Sequence, residues 1–243
     1  MKKERLDKLT RDTKHNGVMI KCSKRDYLEL KKFSELKGNL FKPNRNIIVI
    51  IDRITDIYNF SNVIRSSVFL GADSIIVNRE DRAQLNSLIA KSSNGASEVA
   101  KIYSIKFIKQ FLGEAKADGW TLIGTRAEKD DNESNKDRER IVLNRVNQEK
   151  SLYITLDNLQ IKQDSNVIVL ISTEIDTHVN SLDNIVSVAP YYQGKITNKN
   201  SINIVDSLNP GVSIGFILNH LRKLSSDIET SSLSNNKNST QTK

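Results

Sequence analysis

Short apolar runs alternate with amphipathic segments between residues 47 and 224 of this 243-residue chain. The amphipathic segments have apolar side chains at helical spacing and predict helices at 60–68, 84–91, 106–117 and 210–224. The apolar runs have the length and composition of buried strands and lie at 47–51, 75–77, 120–124, 152–156, 167–171 and 185–188. This alternation predicts an α/β domain with a mainly parallel sheet flanked by helices.

The first strand, helix and second strand, residues 47–77, enclose a polar turn. Asp52 and Asp56 follow the apolar run, Asn59 is a predicted helix cap, and Gly71 is a predicted helix terminator. Two strands joined by one helix are parallel, and open parallel sheets bind ligands at the carboxyl ends of their strands. The turn is therefore a candidate site.

The two ends of the chain differ from this core. Residues 1–45 are mixed in charge and predict a basic N-terminal arm or linker, with a helical patch at 26–36. Residues 225–243 are mostly polar and predict a disordered tail, because they have too few apolar groups to offset the entropy cost of ordering. The predicted folded domain is thus 46–224.

The amino-acid composition narrows the range of possible binding partners. The formal net charge of +8 favours an anionic partner such as RNA. Cys22 is the only cysteine, and His15, His178 and His220 lack ligand spacing, so no metal site is predicted. No apolar run approaches the length of a bilayer span, so no membrane partner is predicted either.

Familiar nucleotide and hydrolase motifs are missing from the sequence. It contains no Gly-x-Gly-x-x-Gly after a strand, no P-loop and no Gly-x-Ser-x-Gly elbow. The remaining candidates are polar residues that follow predicted strands, at 52–65, 124–125, 172–174 and 206–209. These positions favour chemistry at one edge of the sheet.

Three groups of these polar residues follow one another in a specific order. They are Asp52, Asp56, Asn59 and Arg65, then Glu174, then Ser207, Leu208 and Asn209. Their order and spacing resemble the three motifs of the SpoU (TrmH-like) branch of the SPOUT RNA methyltransferases over roughly residues 47–224. Residues 6–9 and 15–18 further resemble a segment of the bacterial and mitochondrial rRNA guanosine 2′-O-methyltransferases, which favours rRNA over tRNA as substrate.

The resemblance implies ribose 2′-O-methylation of RNA with S-adenosylmethionine as cofactor. The substrate that it favours is a guanosine in large-subunit rRNA. It also implies a deep trefoil knot in the C-terminal third and a homodimer whose interface completes the site. The catalytic positions carried over are Arg65, Asn59, Glu174, Ser207 and Asn209. The cofactor-binding positions carried over are Thr125, Ser172, Ala189 and Leu208.

Roles for these residues follow from the same resemblance and from their chemistry. Arg65 is expected to bind the substrate phosphate through two parallel hydrogen bonds and to orient the ribose hydroxyl. Glu174 is expected to fix the motif loops or Arg65. Asn59 and Ser207 are expected to hold backbone and ribose.

The sequence also departs from the family pattern. Ile57 and Ser61 stand where the first motif normally has Pro and Gly, Ser172 and Ile175 stand where the second has Gly, and residues 195–205 are an insertion. A Cβ matters where backbone must approach a ligand closely. A catalytically decayed, RNA-binding ribosome assembly factor is therefore one alternative, and a tRNA 2′-O-methyltransferase is another.

The compartment expected from the sequence is the cytoplasm, with the mitochondrial matrix as the alternative. The resemblance begins within the first ten residues, which leaves no room for a presequence ahead of it.

Overall fold

Strands and helices alternate along the part of the chain that the structure describes. A computed structural model describes residues 3–9, 16–20, 23–37, 45–126, 152–162, 165–188 and 208–238, with side chains as far as Leu224. The strands are β1 Leu28–Leu30, β2 Ile47–Asp52, β3 Ser74–Asn78, β4 Ile102–Ile105, β5 Thr121–Arg126, β6 Tyr153–Thr155, β7 Val167–Ser172 and β8 Asn184–Ser187. The helices are α1 Lys3–Leu9, α2 Phe33–Lys37, α3 Ile57–Phe69, α4 Ser87–Ser92, α5 Ala96–Val99, α6 Ile108–Ala117 and α7 Pro210–Asn238, and 3₁₀ helices span Leu156–Asn158 and Ile175–His178.

All eight described strands form one sheet, in the order β1-β4-β3-β2-β7-β5-β8-β6. Every pairing between neighbours is parallel, which confirms the predicted parallel sheet. Strands β3 and β4, which follow β2 in the sequence, lie on one side of β2 in the sheet. Strands β5 to β8 lie on the other side. The strand order thus reverses between β2 and β7, where the last residues, Asp52 and Ser172, stand side by side. Such a reversal is the usual place for a ligand in an open α/β sheet.

The central strands are buried on both faces. Successive side chains of a strand point to opposite faces, so Ile47, Val49 and Ile51 pack in one hydrophobic cluster with residues of α3 and α7. Ile48 and Ile50 pack in the other cluster with residues of α2 and α6. This double burial explains why β2 is a continuous apolar run rather than an alternating one.

The two ends of α3 follow from short-range chemistry. Asp56 caps the helix, because its side chain accepts a 2.7 Å hydrogen bond from the backbone N–H of Asn59. The prediction that Asn59 is the cap was wrong by three positions. Gly71, at φ 74°, ends the helix as predicted, with the N–H groups of Gly71 and Ala72 bonded to the carbonyls of Val68 and Ser67.

The sheet includes residues from the predicted N-terminal arm. The predicted helical patch at 26–36 is instead strand β1, which pairs with β4, followed by the short helix α2. Phe33 anchors α2 by edge-to-face contacts with Phe111 at 5.3 Å and Trp120 at 5.4 Å between ring centroids. Strand β4 itself was not predicted, because Ser104 interrupts its apolar run.

The last helix is longer than predicted. Helix α7 extends to Asn238, so residues 225–238, for which disorder was predicted, have helical backbone. Neither Gly nor Pro follows Gly215 within the helix, so nothing in the sequence stops it from propagating beyond its packed first half. The division at 224 and 225 stays a prediction, as does the one at 45 and 46.

Some predictions fall outside the described residues. Ala189, Ser207 and the 195–205 insertion lie in the stretch 189–207, and the predicted trefoil knot depends on that stretch. Among the described helices, none combines the length and the apolar content needed to cross a membrane.

Candidate active site at the carboxyl ends of the central strands

Asp52 is the centre of a buried hydrogen-bond network. It is the last residue of β2 and is 1% exposed. Oδ2 lies 2.9 Å from Ser172 Oγ and 3.0 Å from His178 Nε2, and Oδ1 lies 2.9 Å from Asn78 Nδ2. These partners come from β7, from the following 3₁₀ helix and from β3, so one carboxylate joins three neighbouring segments.

The network keeps Asp52 ionised. Burial is the largest single effect and raises the pKa of this carboxyl. Hydrogen bonds from His178, Asn78 and Ser172, together with the charge interaction with His178, outweigh burial and hold the pKa below its ordinary value. An ionised carboxylate only accepts hydrogen bonds, so Nε2 of His178 donates to it. Nδ1 of His178 is buried without a partner in the described ranges.

Glu174 begins a tight turn directly after β7. Its backbone N–H donates a 3.0 Å hydrogen bond to Ser172 Oγ, and its carboxylate forms an ion pair with Arg53. Thr173 Oγ1 donates to the carbonyl of Arg53 at 3.1 Å. Arg53 has a φ of 55°, a left-handed backbone that is uncommon for a side chain of this size. Glu174 therefore pairs with Arg53 of the predicted first motif rather than with Arg65.

A second contact joins the predicted first and third motifs. Asn209 Nδ2 donates a hydrogen bond to Asn59 Oδ1, across 150 positions of sequence. Asn209 Oδ1 in turn accepts a 2.9 Å hydrogen bond from the N–H of Gly211, in the first turn of α7. The hydroxyl of Ser66 donates to the carbonyl of Gly211 at 2.7 Å, which holds the start of α7 against α3.

Arg65 lies beside this contact, on an open cavity of about 520 Å³ between α3 and α7. Asn209 lines the same cavity, together with the exposed rings of Phe69 and Phe216. The side chain of Arg65 is exposed and makes no hydrogen bond or ion pair to any residue that the structure describes. Its guanidinium is therefore available to an anionic ligand.

The predicted cofactor positions lie at neighbouring strand ends. Thr125, near the end of β5, is paired in register with Ile171 of β7, one residue before Ser172. Both Thr125 and Ser172 are buried, at 3% and 0% exposure. Leu208 is half-buried and precedes α7. The hydroxyl of Ser172 is engaged by Asp52 and is therefore not available to a cofactor.

Residues 46–154 match the model of the SpoU rRNA Methylase family. The chain therefore contains a segment similar to the SpoU family. It is 30% identical over 124 residues to human rRNA methyltransferase 1, mitochondrial, covering 51% of this chain and 35% of that protein. It is 26% identical over 125 residues to 23S rRNA (guanosine-2′-O-)-methyltransferase RlmB of Pectobacterium atrosepticum, covering 51% of this chain and 50% of RlmB. The chain thus spans half or less of the length of these relatives.

A solved structure shares the fold of this chain. The AdoMet-bound rRNA methyltransferase from Sinorhizobium meliloti superposes with a TM-score of 0.53 at 15% sequence identity, covering 76% of this chain and 59% of that one. At this identity the likeness shows the fold alone.

The side chains that replace the motif glycines are buried. Ser172 is 0% exposed, and Ile175 is 1% exposed and belongs to a hydrophobic cluster. A Cβ added to Gly124 would stand 2.9 Å from Ile175 Cδ1, so Ile175 occupies the space that this glycine leaves. Neither replacement reaches the outer surface.

Sequence reasoning missed three residues of the candidate site: Arg53, Asn78 and His178. Asn78 ends the strand next to β2, so the parallel pairing of the two strands could have indicated it. His178 carried no local signal, because it meets Asp52 across 126 positions. Within the described ranges, no three or more His, Cys, Asp or Glu side chains are grouped so as to hold a metal ion.

Proposed function

We propose that this chain is an S-adenosylmethionine-dependent RNA ribose 2′-O-methyltransferase that acts on a guanosine of large-subunit rRNA. The observation that carries the proposal is the hydrogen bond between Asn59 and Asn209 beside Arg65. It assembles residues of two predicted motifs, 150 positions apart, on one open cavity.

Arg65 would bind and orient the RNA. A guanidinium offers parallel N–H donors that match a phosphate, and Arg65 has no competing partner among the described residues. A ribose 2′-hydroxyl is a poor nucleophile, so its oxygen must be aligned and its proton must leave as it attacks. Holding the adjoining phosphate would reduce the entropy cost of that alignment.

The strand ends would hold the cofactor. The backbone at Thr125 and Ser172, together with Leu208, fits this role because these residues lie at the carboxyl ends of neighbouring strands and directly before α7. When bound, S-adenosylmethionine supplies an electrophilic methyl group. The ion pair between Glu174 and Arg53 would fix the turn beside that backbone.

Charge and relatives support an rRNA substrate. The formal net charge of +8 suits a polyanion, whose affinity for a protein comes largely from its phosphates. Both curated relatives described above have rRNA in their names, and one name specifies the guanosine 2′-O position.

Calorimetric titration of the full chain with S-adenosylmethionine tests the enzyme proposal directly. We expect saturable binding, and we expect ribose methylation at one rRNA nucleotide to disappear when the gene is deleted. Absence of binding at millimolar cofactor would contradict the enzyme and favour the non-enzymatic assembly factor. Loss of a tRNA methyl group with intact rRNA methylation would instead indicate a tRNA enzyme.

We further propose that a second copy of the chain covers the cavity beside Arg65. Phe69 is 87% exposed there, Phe216 is 49% exposed and Val212 is 46% exposed. Clustered large apolar side chains on a surface mark an interaction site. Because Arg65 and Asn209 line the same cavity, the partner would complete the site.

Sedimentation velocity is expected to show a homodimer for the native chain and a monomer for Phe216→Glu, because a buried unpaired carboxylate is costly. Phe107→Glu is the matched control, since Phe107 is also exposed but lies before α6, away from this cavity. A native chain that sediments as a monomer at micromolar concentration would refute the dimer.

The compartment is a separate proposal. The human relative is named as mitochondrial, which supports the matrix, the second of the two predicted compartments. Fluorescence microscopy of the tagged protein in its own cell separates matrix from cytoplasm.

A further inference from the structure

We propose that Ser172, Asp52 and His178 form a positioning network that fixes both ends of the turn carrying Glu174 and thereby sets cofactor affinity. This inference rests on the proposed methyltransferase function. It assigns a role to Ser172 and His178 that depends on their side chains.

The Ser172 hydroxyl connects the first end of the turn to the sheet. It donates to Asp52 Oδ2 at 2.9 Å and accepts from the N–H of Glu174 at 3.0 Å. The side chain is fully buried, so no water competes for either bond. A glycine at this position, as in the resembled motif, has no hydroxyl and would leave the N–H of Glu174 without this partner.

The His178 ring connects the far end of the turn to the same atom. Its Nε2 lies 3.0 Å from Asp52 Oδ2, the oxygen that also accepts from Ser172. The carbonyl of His178 accepts a 2.9 Å hydrogen bond from the N–H of Ser181, which continues the chain toward β8. The turn is therefore held at two points, seven residues apart counting both ends, by one carboxylate oxygen.

The position of Asp52 explains why this arrangement would act on cofactor rather than RNA. Asp52 ends β2 at the point where the strand order reverses, next to Ser172. The backbone of Ser172 is the proposed cofactor contact, whereas Arg65, the predicted RNA contact, lies on the cavity between α3 and α7. Loosening the turn should therefore weaken cofactor binding and leave RNA binding unchanged.

Ser172→Ala tests the first end of the turn. Removing one hydrogen bond to a charged group typically weakens a linked equilibrium about tenfold, so we expect a roughly tenfold higher KM for S-adenosylmethionine with an unchanged KM for RNA. The backbone N–H of Glu174 should exchange with deuterium about tenfold faster. Ser67→Ala is the matched control, because Ser67 is equally buried and its hydroxyl has no partner among the described residues.

A pair of substitutions tests the far end. His178→Leu removes the donor, and His178→Gln keeps an N–H donor at a similar reach. We expect His178→Leu to raise the KM for cofactor and to accelerate exchange at residues 174–178, and we expect His178→Gln to restore both. Rescue by glutamine separates positioning from simple packing, since leucine fills the space at least as well.

The outcomes separate this inference from the proposed function. If the native chain binds no cofactor, the methyltransferase proposal fails, and the exchange measurements still test the network. Unchanged exchange at Glu174 in Ser172→Ala would overturn the network. Equal increases in the KM for cofactor and for RNA, with a lowered Tm, would overturn positioning in favour of a purely structural role.

Discussion

Arg65→Lys is expected to lower the rate of methyl transfer by about a hundredfold, the loss typical of a misplaced reacting group. Lysine keeps the positive charge but is a single point donor, so it cannot hold a phosphate through two parallel hydrogen bonds. Arg65 is exposed and unpaired within the described residues, so the fold should not change. Single-turnover assays with radiolabelled cofactor and saturating RNA measure the effect on the chemical step.

Arg5→Lys provides the matched control for this substitution. Arg5 is exposed on α1 and lies outside the residues that match the SpoU family model. We expect its rate to equal that of the native chain. Full methyl transfer by Arg65→Lys would refute the two-bond contact, whereas a raised KM for RNA with an unchanged rate would restrict Arg65 to binding.

Gly211→Ala is expected to have the second large effect, a lower free energy of unfolding. A Cβ on Gly211 would stand 2.6 Å from Asn62 Cβ and 2.9 Å from the Asn62 backbone carbonyl carbon. Contacts this short force α3 and α7 apart, and overpacking of this kind costs about 1–3 kcal/mol. Urea unfolding followed by circular dichroism measures the loss, which should appear as a lower midpoint at unchanged slope.

Gly215→Ala tests whether the effect belongs to the contact rather than to glycine. Gly215 lies one turn further along α7, and a Cβ there would have its nearest neighbour at 3.9 Å. Alanine favours a helix interior over glycine by up to about 1 kcal/mol, so this variant should be as stable as the native chain or more stable. If both variants unfold at the same urea concentration, the close approach at Gly211 does not limit stability.

The helices and strands were largely predictable, because the side chains that they bury recur in the sequence as apolar runs or at helical spacing. The apolar runs at 47–51 and 167–171 became β2 and β7, the strands at the centre of the sheet. Gly71 ended α3 where predicted, because a left-handed position favours glycine whatever the surroundings. Predictions from weak local patterns were wrong, as at β1, where a helical patch was predicted. This segment is a strand because β4 offers an edge with which it pairs.

The candidate site was predictable only in part. The sequence by itself determined the parallel α/β architecture, because burial patterns are local properties of the chain. The resemblance to the SpoU motifs selected Asn59, Arg65, Glu174 and Asn209. Only the tertiary structure decided that Glu174 pairs with Arg53 and that Asp52 joins Ser172 to His178. These contacts join residues 120 or more positions apart, and no local pattern encodes which distant side chain fills a buried position.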